Sequence, residues 1–274
     1  MTRASQRRRA AEVTAAVAIW IAAGLVFHLS ANAYLLLGIP LTAAFQWGVR
    51  RLPLRTLWVR DSPDFRLDAA GWVMAMMLAA FPAYRLARSL DSGAPAVETL
   101  WYVAAVAGAF PAAFALRNWH PQTTRALWAC LATAGVIGIG MMLLNIFGAG
   151  VSHATFRARM AEFVTTMLLY VPVVFLLEEV SFRGAFDAHM HHQGDPGEYA
   201  SAFLVSALWG LWHIPVALGA KPLPVLIAGL VGVHCAVGVP LSIYWRRSGN
   251  LLVSGSTHAL VDAVRNALFF AGRV

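Results

Sequence analysis

Two adjacent glutamates, Glu178 and Glu179, close an apolar run in the segment LLEEVSFRG (residues 176–184), and Arg183 follows four positions after the second. An ionisable group at the centre of a membrane helix costs about 2.5–3.5 kcal/mol or more, so such groups face a protein interior and mark function. The same reasoning selects His213, His234, His258, Asp262 and Arg265. All lie beyond residue 177, whereas the earlier apolar runs are almost free of such groups, which assigns any chemistry to the C-terminal half. At about 100° per residue, Glu179 and Arg183 stand about 40° apart on a helix, in the acid-before-base order that favours an ion pair. Glu178 lies about 140° from Arg183 and is left as the free carboxylate, a candidate general base. In ALWGLWHIP (207–215), Trp209 and His213 are one turn apart, so the indole can pack on the imidazole and fix its rotamer, while Pro215 breaks the ladder just beyond. In STHALVDAVRN (256–266), His258 and Asp262 share a face, with Arg265 and Asn266 following. An aspartate one turn from a histidine can orient its ring or share a metal with it, and it can equally form an ion pair with Arg265. His234 has no side-chain partner three or four positions away and reads as a core histidine.

These groups must be held by membrane helices. Of the 274 residues, 59% are hydrophobic and only 12% charged, and the mean hydropathy is +0.64. Soluble domains carry about twice that share of charge, so the composition predicts an all-α, polytopic membrane helix bundle. Apolar runs at 10–28, 32–49, 69–87, 97–116, 126–149, 161–180, 200–219, 222–245 and 250–271 predict about eight or nine transmembrane helices, with an active site between the C-terminal ones. The order basic-then-apolar at the N-terminus suits a secretory signal, but the length of the apolar part and the runs that follow favour an uncleaved first helix. Residues 1–150 read as N-terminal transmembrane helices and 151–274 as the region that carries the chemistry.

Basic residues outnumber acidic ones 21 to 13, but they flank apolar runs, which points to the lipid bilayer and away from nucleic acid. With the N-terminus in the cytoplasm, most of the loop arginines fall inside, among them Arg7, Arg8, Arg9, Arg50, Arg51, Arg55 and Arg60. The basic connection 50–68 reads as a positive-inside loop at the membrane surface, and the histidines of 184–198 (His189, His191, His192) as a solvated loop. Cys130 and Cys235 lack the spacing of a disulfide framework or a zinc knuckle.

Taken together, E-E-V-S-F-R (178–183), W-G-L-W-H (209–213) and H-A-L-V-D (258–262) resemble the three motifs of the type II CAAX prenyl endopeptidases, also called the CPBP or Abi family of intramembrane proteases. FRGAF (182–186) and RRSGNLL (246–252) are similar to family text as well, and the resemblance covers roughly residues 160–270. It implies cleavage of a peptide bond in or near the membrane, within a cavity between helices that opens to the cytosol. Carried over, Glu178 would activate water with help from His213. Glu179, Arg183 and Trp209 would support them, and His258 with Asp262 would stabilise an oxyanion or help hold a cation. Trp209 replaces the family phenylalanine, a change of volume without a change of character. Asp262 stands where many relatives carry asparagine, and an ionised carboxylate would repel an oxyanion. Asp262 is therefore protonated, or orients His258, or joins Glu178, His213 and His258 as ligands of one zinc ion; the alternative is no metal at all. The expected partner is a peptide or membrane-protein substrate, a CAAX tail or another membrane-proximal peptide, in what composition suggests is a bacterial plasma membrane. The sequence sets no oligomeric state. Two rivals use the same residues differently: a proton-coupled transporter with a buried Glu/His/Asp relay, and a non-catalytic scaffold or immunity protein.

Overall fold

A computed structural model describes residues 3–62, 64–149, 153–191 and 198–271, and every regular element in them is helical. Twelve α-helices follow in order: α1 (Arg3–Val26), α2 (Ala31–Ala44), α3 (Ala69–Asp91), α4 (Ala96–Arg117), α5 (Pro121–Cys130) and α6 (Val136–Ala149) in the first half. The second half contains α7 (Phe156–Val173), α8 (Ala188–Met190), α9 (Glu198–Trp212), α10 (Ile214–Ala217), α11 (Leu223–Ser248) and α12 (Leu252–Phe269). A π-helical stretch extends α2 over Phe45–Arg50, another joins α5 to α6, and a third spans Val180–Asp187. Such wide turns occur mostly at functional positions.

Five helices among the described residues are long and apolar enough to cross a membrane: Ala4–Val26, Ala69–Asp91, Ala96–Arg117, Pro121–Leu144 and Leu223–Ser248. The count of eight or nine is not reached on that criterion, and the reason is physical. The run at 32–49 is divided between α2 and its π-helical extension, those at 161–180 and 200–219 break at Val173 and Trp212, and α12 carries His258, Asp262 and Arg265. The outward faces fit lipid: Trp72, Val73, Met76 and Met77 of α3 are all exposed.

Helix starts follow their sequence signals. Asp68 caps α3 by accepting from the Gly71 amide (2.8 Å), and Thr155 caps α7 through Ala158 (3.3 Å). Gly249 ends α11 in a left-handed conformation (φ 63°), which lets the chain turn sharply into α12. Asn250 then anchors that turn, donating from Nδ2 to Ala115 O (2.8 Å) while its Oδ1 accepts from the Leu252 amide (3.0 Å).

The connection 50–68 is no loose surface loop. Leu57 and Val59 are buried, the Trp58 indole donates to Phe175 O (2.6 Å), and the Trp58 carbonyl accepts from the Leu251 amide (2.8 Å). Its short apolar run, Leu57–Val59, is what the basic flanks conceal. Gly184 is required where this segment passes, because any Cβ there would collide with the Leu57 carbonyl. Arg50 completes the contact by donating to Gly184 O (2.8 Å).

Candidate active site

α7 ends at Pro172–Val173, the chain runs through turns from Val174 to Leu177, and a new helix starts with Glu178 and Glu179. This break places Glu178 on the lining of a cavity of about 560 Å³, with Glu179 buried behind it. Its walls come from α7, α9, α11 and α12, and also from Tyr34 and Leu35 of α2 and Trp101 of α4. The first half therefore shapes the site, although its chemistry-bearing groups are C-terminal. Within the wall, the Tyr34 ring stacks on Trp212 (centroids 4.9 Å apart) and its hydroxyl donates to Trp212 O (2.9 Å), while the Trp20 indole donates to Tyr34 O (2.9 Å).

The two glutamates have different partners. Glu178 accepts from the Trp209 indole N–H at Oε2 (3.0 Å), and the same oxygen lies 3.9 Å from His213 Nε2. His213 donates its Nδ1–H to Trp209 O (2.9 Å), which leaves Nε2 as the nitrogen on the Glu178 side. Glu179 is fully buried and accepts from His258 Nδ1 (3.1 Å). Its Oε2 is 3.9 Å from Arg183 Nε, an ion pair beyond hydrogen-bond length across the π-helical turn. Arg183 also lays its guanidinium over the Trp209 ring at 4.5 Å. The imidazole of α12 thus meets the second carboxylate of the pair. On its other side His258 Nε2 is 3.6 Å from Asp262 Oδ2, and Asp262 Oδ1 forms an ion pair with Arg265 Nη1 (2.9 Å).

Trp209 is the hub of this arrangement. Its ring meets His258 (5.1 Å), His234 (4.6 Å) and, more distantly, His213 (6.0 Å), each at a steep angle. The substitution of tryptophan for phenylalanine does change character, since the hydrogen bond to Glu178 needs an N–H that phenylalanine lacks. His234, read from sequence as a core residue, lies on the cavity wall with its ring 4.2 Å from that of His213. The signal for it was an imidazole within an otherwise apolar membrane run, which local spacing alone discounted.

The four residues weighed for zinc do not close into one ligand set. They pair off as Glu178 with His213 and His258 with Asp262, and among the described residues no three His, Cys, Asp or Glu side chains gather to hold a metal ion. Of the loop histidines, His189 is engaged by Glu12 (2.8 Å), and His192 lies outside the described residues.

Apolar helices around a cavity lined by Glu178, Asp262 and three histidines define an integral membrane protein of helical type. Residues 160–264 match the family model of the Rce1-like type II CAAX prenyl endopeptidases. Comparison with curated proteins and with solved structures found no match.

Proposed function

We propose that the protein is an intramembrane endopeptidase in which Glu178 activates a water molecule. The observation that carries this reading is the position of Glu178: one carboxylate oxygen is oriented by Trp209 and lies 3.9 Å from His213 Nε2 on the wall of the cavity. A water about 2.8 Å from both groups fits that separation. Glu178 takes a proton from the water, and the hydroxide adds to the scissile carbonyl carbon. His258 donates from Nε2 to the resulting oxyanion, a contribution of about 2.7–4 kcal/mol for one good donor. That nitrogen is suited to the task because it stands 3.6 Å from Asp262, outside hydrogen-bond range, while Nδ1 is anchored by Glu179. Collapse of the intermediate breaks the C–N bond, and the proton held by Glu178 passes to the leaving amine. The products are a carboxylate and an amine.

In this reading Glu179 orients His258, and Asp262 acts on it through charge and does not meet the oxyanion. Its charge is countered by Arg265, which removes the repulsion an isolated carboxylate would exert. The substrate is a peptide or membrane-protein tail entering from the cytoplasmic side of a bacterial plasma membrane, with the N-terminus on that side.

The test compares C-terminal and membrane-proximal peptides across the proteome of cells carrying the wild type or Glu178→Ala. Peptides cut only by the wild type are expected. Identical profiles would sink the proteolytic reading and leave a scaffold; ion flux in liposomes that tolerates Glu178→Asp would point to a transporter.

A further inference from the structure

His234 belongs to none of the three motifs, yet α11 carries it across a candidate membrane span and turns it to the same cavity. An imidazole in such a helix needs a reason, given the cost of a polar group at that depth. Its Nδ1–H donates to Leu230 O (2.6 Å), one turn back in its own helix, so this bond asks nothing of the site. Its ring, however, lies against His213 at 4.2 Å between centroids and 38° between planes, and edge-on to Trp209 at 4.6 Å. The approach depends on Gly210: a Cβ there would sit 2.6 Å from Leu230 O, so only glycine allows α9 and α11 to meet at this level.

His213 needs such a wall. α9 ends at Trp212, and the backbone after His213 passes into the short α10 with Pro215. Among the described residues the imidazole has one hydrogen bond, to Trp209 O, and rotation about its Cβ–Cγ bond would carry Nε2 away from Glu178. Trp212 meets the His213 ring edge-on at 4.8 Å, and His234 covers it from another direction.

We propose that His234 is a positioning residue that holds His213 in the orientation that presents Nε2 to Glu178, and that the flat ring is what performs the task. The inference rests on the proteolytic reading above. Its test uses the full-length protein in proteoliposomes and, as probe, an internally quenched peptide ending in S-farnesylcysteine and three further residues, the kind of tail the family's description names.

His234→Ala lowers kcat about tenfold or more, with KM within about twofold and the melting temperature unchanged, because a displaced catalytic group costs rate before it costs binding. His234→Phe, which keeps a flat ring but no nitrogen, recovers kcat to within about threefold of wild type. Full activity in His234→Ala overturns the inference. So does a His234→Phe variant as slow as His234→Ala, which would assign the role to a ring nitrogen, and so does a loss of kcat that tracks a fall in melting temperature. A probe cut equally by wild type and Glu178→Ala, or by neither, would instead bring down the proteolytic reading itself.

Discussion

The two sides of the candidate site use the same residue types to opposite ends. On one side, the side chains of Glu178 and His213 are 19% and 23% exposed and leave Nε2 and one carboxylate oxygen facing across 3.9 Å. On the other, Glu179, His258 and Asp262 are 1%, 8% and 9% exposed, and each charge has an opposite neighbour in the chain Arg183–Glu179–His258–Asp262–Arg265. A closed chain of charges fixes geometry, whereas an open pair can bind and move a proton. In the proposed mechanism the adjacent glutamates are thus one group that acts and one that holds, and the difference comes from burial and partners, since the side chains are identical.

The largest expected effect tests this division directly. Glu179→Ala leaves Arg183 buried beside an empty partner position, and breaking a buried pair in this way costs about 3–5 kcal/mol. Glu178→Ala removes no ion pair of that kind and is expected to change stability by about 1 kcal/mol or less while abolishing cleavage. Thermal unfolding of both variants in the same detergent, beside the peptide assay, measures the contrast. If Glu178→Ala were the more destabilising of the two, the assignment of the fixed and the active side would have to be reversed.

Trp209 touches both sides and sharpens the comparison from between them. Trp209→Phe keeps a ring under Arg183 but deletes the N–H that orients Glu178. A hydrogen bond to a charged group is worth about 1.5–3 kcal/mol, so kcat is expected to fall about tenfold or more with a smaller change in stability. Unchanged kcat would mean that Glu178 is oriented without the indole.

How much of this was legible in the sequence depends on whether partners share a helix. His258 with Asp262, Trp209 beside His213, and the separation of Glu178 from Glu179 all follow from spacing along one element, and the structure keeps each of them. The partner that Glu179 finds in His258 lies 79 positions away, and helical periodicity assigns faces without saying which helices become neighbours. The π-helical turn after Glu179 was equally hidden, because local spacing assumes a regular α-helix. For the same reason His234 looked solitary: its neighbours, His213 and Trp209, belong to another helix. The buried wedge at Leu57–Val59 was masked by the arginines around it, which follow the rule for membrane loops while the residues between them pack inward.

That wedge bears on the comparison because it braces both sides at once. Trp58 donates to Phe175 O in the turns that lead to Glu178, and its carbonyl accepts from Leu251 at the start of the helix that carries His258. Trp58→Phe retains the packing and the carbonyl but loses the indole bond, an expected cost of about 1 kcal/mol in stability. The turns before Glu178 should loosen and the α12 side should not. Hydrogen exchange of amides in 174–178 against those in 252–258 would read this, and equal loosening of both would refute it.

The smallest expected effect concerns the exposed counterpart of the buried pair. Asp68 and Arg117 form an ion pair at the surface end of α3, with Arg117 Nε donating to Asp68 Oδ1 (2.9 Å). The hydrogen bond from Arg117, followed by that from the Gly71 amide, holds the Asp68 carboxyl below its usual range. A carboxyl lowered on folding adds stability that is fully present above its unfolded value of about 4 and is lost as pH falls through the lower folded value. Asp68→Asn keeps a competent helix cap and removes only the charge. The mutant should therefore melt slightly below the wild type at neutral pH, and the two should converge as pH drops below about 4. Added salt should shrink the gap at neutral pH, since solvent already screens this pair, whereas the loss in Glu179→Ala should be insensitive to salt. A gap that persists in acid would show that it does not come from the charge of Asp68, and the contrast between exposed and buried charge would then lose its simplest control.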